Sequence, residues 1–251
     1  MFTKKTVSFL RALRRNNNRD WFRGHKDDYD TYVRKPMVDV LERLARDMRA
    51  FAPEIVSDPK VSLFRIYRDT RFSDDKRPLK TQIGAHFPDR ELGRGQGAGL
   101  YFELAPEWVW IGGGFYMPQP ADLHAVREHI AATHPRLRRI ATSTTFRRTF
   151  GQLDGARLAR VPRGYQQDHP AAHYLQFKQF LAGREFDAAF AASRSFYPEL
   201  LRTFRAAAPL VRFLNTPLRA RLRQGPLLAD APASPGRARA ARTPRAPEPM
   251  W

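Results

Sequence analysis

The chain has 251 residues, 42% hydrophobic and 12% aromatic, which is enough apolar matter for a packed core. It contains no cysteine, excluding disulfides, thiolate metal sites and a cysteine nucleophile. A net charge of +19 invites a nucleic-acid reading, because cations gain affinity by releasing counterions from phosphates; charge balance alone speaks only to non-specific association.

The first residues, MFTKKTVSFLRALRR, are basic with scattered apolar positions and lack the continuous apolar stretch of a signal peptide. No segment approaches the ~20 apolar residues of a membrane span, so the expectation is a cytoplasmic protein without membrane contact. Residues 7–14 predict a short helix with Val7, Leu10 and Leu13 on one side, ended by Asn16-Asn17-Asn18. Trp21-Phe22 reads as a core anchor, with Asn17 and Asn18 capping nearby backbone. Pro36 opens a longer helix in which Met37, Val40, Leu41, Leu44 and Met48 form an apolar stripe up to Phe51.

From Val61 the period changes to alternation, with Phe64 and Ile66 on one face and Arg65 and Tyr67 on the other, which predicts a half-buried strand. Two more strands are expected at Leu100–Leu104 and Trp108–Phe115, joined by the short Ala105-Pro106-Glu107 link as a hairpin. Helices follow over Leu123–Ile130 and around Leu137 and Ile140. Asp168 is expected to cap a helix holding Leu175, Phe177 and Phe180, with further helix over Phe186–Phe190 and Tyr197–Leu214. The fold class expected is α+β: an antiparallel meander packed by N-terminal and C-terminal helices, one domain over residues 1–222. Residues 223–251 read as a disordered Pro/Ala/Arg tail without periodicity. That tail carries five arginines against two acids, leaving +16 on residues 1–222, from 39 cations and 23 acids.

The densest chemistry lies in Arg65–Lys80, six cations and three carboxylates in sixteen residues. Arginines fork onto phosphate or carboxylate and aromatics stack on rings, so the segment suits a small phosphorylated or nucleotide-like anion. Its candidate ligand residues are Arg65, Tyr67, Arg68, Asp69, Arg71, Lys76 and Lys80, joined by Tyr101 from the next strand. The plainer alternative pairs Arg65, Arg68 and Arg71 with Asp69, Asp74, Asp75 and Glu103 as an ion-pair network that holds a structural or interaction module together. A nucleic-acid-associated basic protein is the third reading. Were the protein an enzyme, Asp69 or Glu103 would orient substrate or move a proton, with His169 the next base.

Other motifs are weaker. The run Gly93-Arg-Gly-Gln-Gly-Ala-Gly99 precedes a strand rather than a helix, so it reads as a flexible connection or a lid and not as a phosphate loop. His169 and His173 share helical spacing, but no third metal ligand accompanies them, and Asp74-Asp75 are neutralised by Lys76 and Arg77; no metal site is expected and no cofactor is assigned. No Gly-x-Ser-x-Gly elbow is present.

Asn16-Asn17-Asn18-Arg-Asp-Trp21-Phe22 with Lys26 and Tyr29, followed by the whole of Arg65–Lys80, resembles the signatures of the DUF2461 family of uncharacterised proteins. The resemblance spans roughly residues 2–222 and includes Gly99–Tyr101, Gly112–Gly114 and Asp168-His169-Pro170. It implies a single domain and supplies no activity. At one position the chain departs from the family pattern: Leu79 stands between Pro78 and Lys80 where the family has tyrosine, a place that either contacts ligand or only packs.

Overall fold

The structure is a computed structural model that describes residues 1–71 and 74–224. The Pro/Ala/Arg stretch from residue 225 onward, and with it the expectation of a disordered tail, lies outside the described residues.

The chain begins with α1 (Lys4–Arg15), whose Val7, Leu10 and Leu13 are buried as their spacing predicts. Short helices α2 (Arg19–Gly24) and α3 (Lys26–Tyr29) lead through a π-helical turn, Asp30–Arg34, into α4 (Lys35–Asp47). Pro36 sits in the first turn of α4, where its missing N–H costs nothing, and Met37, Val40, Leu41 and Leu44 are all fully buried.

Among the described residues four antiparallel strands follow in sequence order: β1 (Ile83–Phe87), β2 (Gly99–Leu104), β3 (Trp108–Phe115) and β4 (Phe180–Asp187). The β2–β3 hairpin closes through Ala105 N–H to the Trp108 carbonyl at 2.9 Å. Before β1 lies α5 (Pro59–Ser62); between β3 and β4 lie α6 (Pro120–Thr142), α7 (Thr144–Phe150) and α8 (Ala172–Leu175); and α9 (Phe196–Gln224) ends the described chain. The backbone of α6 leaves helical geometry at Thr133 ahead of Pro135, whose ring cannot follow an intact turn, so its two apolar stretches pack as two short helices.

One face of the sheet is the core. Ala85, Phe87, Leu100, Phe102, Val109 and Ile111 are fully buried beneath α9, with Phe87 against Phe204 at 5.1 Å and Phe102 against Phe196 at 6.0 Å. Strand alternation then puts His86, Tyr101, Glu103 and Trp110 on the opposite face, where the register sets His86 beside Tyr101 and Glu103 beside Trp110.

Three expectations are corrected. The strand expected from Val61 does not form: Pro59–Ser62 is a helical turn capped by Asp58, whose side chain accepts from Lys60 N–H at 2.7 Å, and beyond it only single bridges occur, Leu63 with Ala85 and Tyr67 with Leu79. Ile66 is buried as expected, whereas Phe64 is half-buried and turned away from the core. The helix expected to hold Phe180 ends at Leu175 and is capped at Ala171 rather than Asp168, while Phe180 and Phe186 belong to β4, which pairs along the whole of β3. Alternation also runs through Ile83–Phe87, hidden by Gly84 and Ala85, which makes this short stretch the first strand.

Candidate functional site

Arg65–Lys80 folds back on itself. Arg68 N–H donates to the Pro78 carbonyl at 2.9 Å and Lys80 N–H to the Ile66 carbonyl at 2.8 Å, a short ladder around the Tyr67–Leu79 bridge. Asn17 fastens this ladder to the end of α1: its amide donates to the Leu79 carbonyl at 2.9 Å and accepts from Leu79 N–H at 3.1 Å, acting like one more strand residue. Asn18 caps α2 through Trp21 N–H at 2.8 Å, and buried Phe22 meets Tyr67 edge to face at 5.9 Å. The two signature motifs are therefore one structural unit. Leu79 is fully buried, so the position where the family has tyrosine packs here and faces no solvent.

Within the segment the unit Asp-x-Arg occurs twice, at Asp69–Arg71 and Asp75–Arg77. Each carboxylate accepts from the backbone N–H two residues on and from that residue's guanidinium, with ion pairs of 2.7 Å and 2.6 Å. Arg68 reaches Asp75 across the fold-back. Of the three arginines in the ion-pair alternative, Arg68 and Arg71 are paired locally, as is Arg77, and Arg65 is not.

What these pairs leave over forms the candidate site. Between the segment and the second face of the sheet lies an open cleft of about 1130 Å³, and among the described residues its lining presents seven cationic side chains against four carboxylates. Phe64, Tyr67 and Trp108 supply aromatic walls. Arg65, Lys80 and Arg94 have no carboxylate within ion-pair distance among the described residues. The Lys80 ammonium stands 4.9 Å and the Arg94 guanidinium 4.3 Å over the ring of Phe64. Burial, and then the neighbouring Arg68, Arg94 and Arg65, push the Lys80 ammonium down to about 8.

On the floor, the Tyr101 hydroxyl donates to Glu103 Oε2 at 2.7 Å. Glu103 is only 7% exposed and has no cation within ion-pair distance among the described residues, so burial raises its carboxyl to about 7. A Cβ at Gly84, the strand partner of Glu103, would lie 2.8 Å from the Tyr101 oxygen and 3.1 Å from Glu103 Cβ; only glycine leaves this pair its room. Such a carboxyl holds or releases a proton near neutral pH, which is what acid–base work requires.

Of the eight ligand candidates, Arg65, Tyr67, Arg68, Asp69 and Lys80 line the cleft. Arg71 is tied to Asp69 and Lys76 donates to the Thr70 carbonyl at 3.1 Å, both outside the lining. Tyr101 lies beneath the cleft and lines a smaller pocket beside it. Of the three proton-transfer candidates, Glu103 is the one whose carboxyl is raised toward neutrality. Hydrogen bonds from Arg71 hold Asp69 at about 2, and His169 lies outside the lining, where its Nδ1 accepts from Ala171 N–H at 3.0 Å. Arg94 was missed in sequence because it stands in a glycine run read as a loose connection. That run is instead fixed at Ala98, whose N–H and carbonyl both bond the buried side chain of Asn215 on α9, at 2.8 Å and 2.9 Å. Among the described residues no group of three or more His, Cys, Asp or Glu is placed to hold a metal ion, and no helix is long and apolar enough to cross a membrane.

No curated protein and no solved structure matches the chain. The model of one protein family does, over residues 5–213, a span that takes in the Asn17 clamp, the whole Arg65–Lys80 segment, the sheet and most of α9. With both signature motifs inside that match and joined in one structural unit, the chain belongs to DUF2461, a family described as conserved hypothetical protein.

Proposed function

We propose that the cleft binds a small phosphorylated or nucleotide-like anion, with Arg65, Lys80 and Arg94 carrying its charge and Phe64, Tyr67 and Trp108 walling it. One observation supports this above the others: Lys80 and Arg94 stand over one aromatic ring, Arg65 lines the same cleft, and among the described residues none of the three has a carboxylate within ion-pair distance, while burial and then the neighbouring cations depress the proton affinity of Lys80. Holding like charges together costs free energy in the empty protein, and an oxyanion relieves it. A structural network would bond an acid directly to each of them, as at Arg68, Arg71 and Arg77, whereas Glu103 acts on Lys80 only from beyond ion-pair distance. Glu103 beneath the anion is the residue we assign to proton transfer.

Calorimetric titration with inorganic pyrophosphate tests the reading. Lys80→Met and Arg94→Met should each weaken binding about tenfold or more, the worth of one charge-assisted hydrogen bond. Arg71→Met, outside the cleft, should leave affinity unchanged. Failure of pyrophosphate to bind, or an equal loss in all three variants, rules the proposal out.

A further inference from the structure

Beside the cationic cleft lies a second pocket of about 200 Å³, which shares Phe64 and Arg94 with it. Its walls are chemically different. Tyr101 and Trp110 approach each other at 5.9 Å and Phe64 meets Tyr101 edge to face at 6.2 Å, so three aromatic side chains bound a space with room for one ring system. Glycines make room for two of its walls. A Cβ at Gly183 would fall 2.0 Å from the Trp110 indole, which lies across the bare backbone of β4, and a Cβ at Gly99 would fall 2.2 Å from His86 Nε2.

His86 gives the pocket a polar edge. Its imidazole is half-buried, lines the space and makes no hydrogen bond among the described residues, which leaves its nitrogens to whatever occupies the pocket. Burial and the nearby Arg94 lower its proton affinity to about 4, so the ring is neutral at physiological pH, with one nitrogen donating and one accepting. A neutral imidazole is a poor partner for phosphate. It complements the donor and acceptor edge of a heterocycle, just as the aromatic walls complement its faces.

We infer that this pocket takes the planar heterocycle of a nucleotide whose phosphates lie in the cationic cleft, with His86 reading the edge of the ring. Arg94 and Phe64, common to both spaces, stand where the two halves of such a ligand join. The inference rests on the anion reading of the cleft for the phosphates, while the ring pocket stands on its own geometry.

Titration calorimetry of the full chain with pyrophosphate and with the diphosphates of adenosine, guanosine, cytidine and uridine separates the two. At least one nucleoside diphosphate should bind about tenfold or more tightly than pyrophosphate, the return expected from one base stacked on aromatic side chains. Leu181→Trp, which fills the pocket from β4, should bring that ligand back to the pyrophosphate level while pyrophosphate itself binds unchanged. His86→Phe, which keeps a ring and removes its hydrogen bonds, should level the differences among the four bases. If pyrophosphate binds and no diphosphate binds more tightly, or if Leu181→Trp weakens all five ligands alike, the ring pocket is disproved and the cleft reading stands. If pyrophosphate does not bind, the cleft reading falls and the four free nucleosides decide: binding abolished by Leu181→Trp upholds the ring pocket, and no binding overturns it.

Discussion

Glu103 and Lys80 share one cleft with opposite pressures on their protons. Burial favours the neutral form of each, so it raises the carboxyl to about 7 and lowers the ammonium to about 8. For Glu103 the folded value lies above the unfolded one, and its effect on stability is therefore absent below the ordinary carboxylate range and grows unfavourable as pH rises toward 7. Glu103→Gln removes this charge while keeping an acceptor for Tyr101. The variant should melt close to wild type at pH 4 and above it at pH 8, by roughly 3 kcal/mol at most, since each tenfold change in proton affinity is worth about 1.4 kcal/mol. Equal melting at both pH values would show that Glu103 titrates normally. Lys80 works in the other direction, its charged form being the costly one below pH 8, and an anion in the cleft should raise its proton affinity. At this scale the sequence was a partial guide. Alternation along β2 correctly put Tyr101 and Glu103 on one face, whereas Arg94 enters the cleft through a fold of the chain that no local pattern signals.

The Asn17 clamp shows the same limit for elements. Three consecutive asparagines read as a helix stop, which they are, but only the tertiary fold shows that the middle one supplies both hydrogen bonds to Leu79, sixty-two residues away. Asn17→Ala strands a backbone donor and an acceptor in a half-buried position, at a cost of about 1–3 kcal/mol. Hydrogen exchange should then quicken at Leu79 and Lys80 while the amides of β2 and β3 stay protected; uniform quickening would mean that the clamp holds the whole domain rather than this segment. The meander itself was legible because β2 and β3 alternate cleanly and the link between them is short. β1 and β4 were not: Gly84 and Ala85 mask one, and β4 carries phenylalanines at spacings that suit a helix as well as a strand. Pairing with β3 decides β4, because Gly183 lies opposite Gly112 and the two bare positions make room for Trp110.

For the whole molecule, the net charge of +19 is spread over the chain, whereas the cleft concentrates on one face of a sheet three cations that have no ion-pair partner among the described residues. The two features predict different behaviour in salt. Association with duplex DNA should be non-specific, weaken steeply between 50 and 200 mM salt, about the range over which phosphate contacts are lost, and fall when the chain is cut after Gln224, which removes four arginines. Pyrophosphate affinity should survive that truncation. Loss of pyrophosphate binding with the tail would move the site off the cleft. The most direct measurement is a crystal structure of the protein grown or soaked in phosphate. An oxyanion should lie within hydrogen-bond distance of Arg65, Lys80 and Arg94 above the ring of Phe64; a cleft without it at high phosphate, or with those three side chains turned onto carboxylates, would contradict the proposed function.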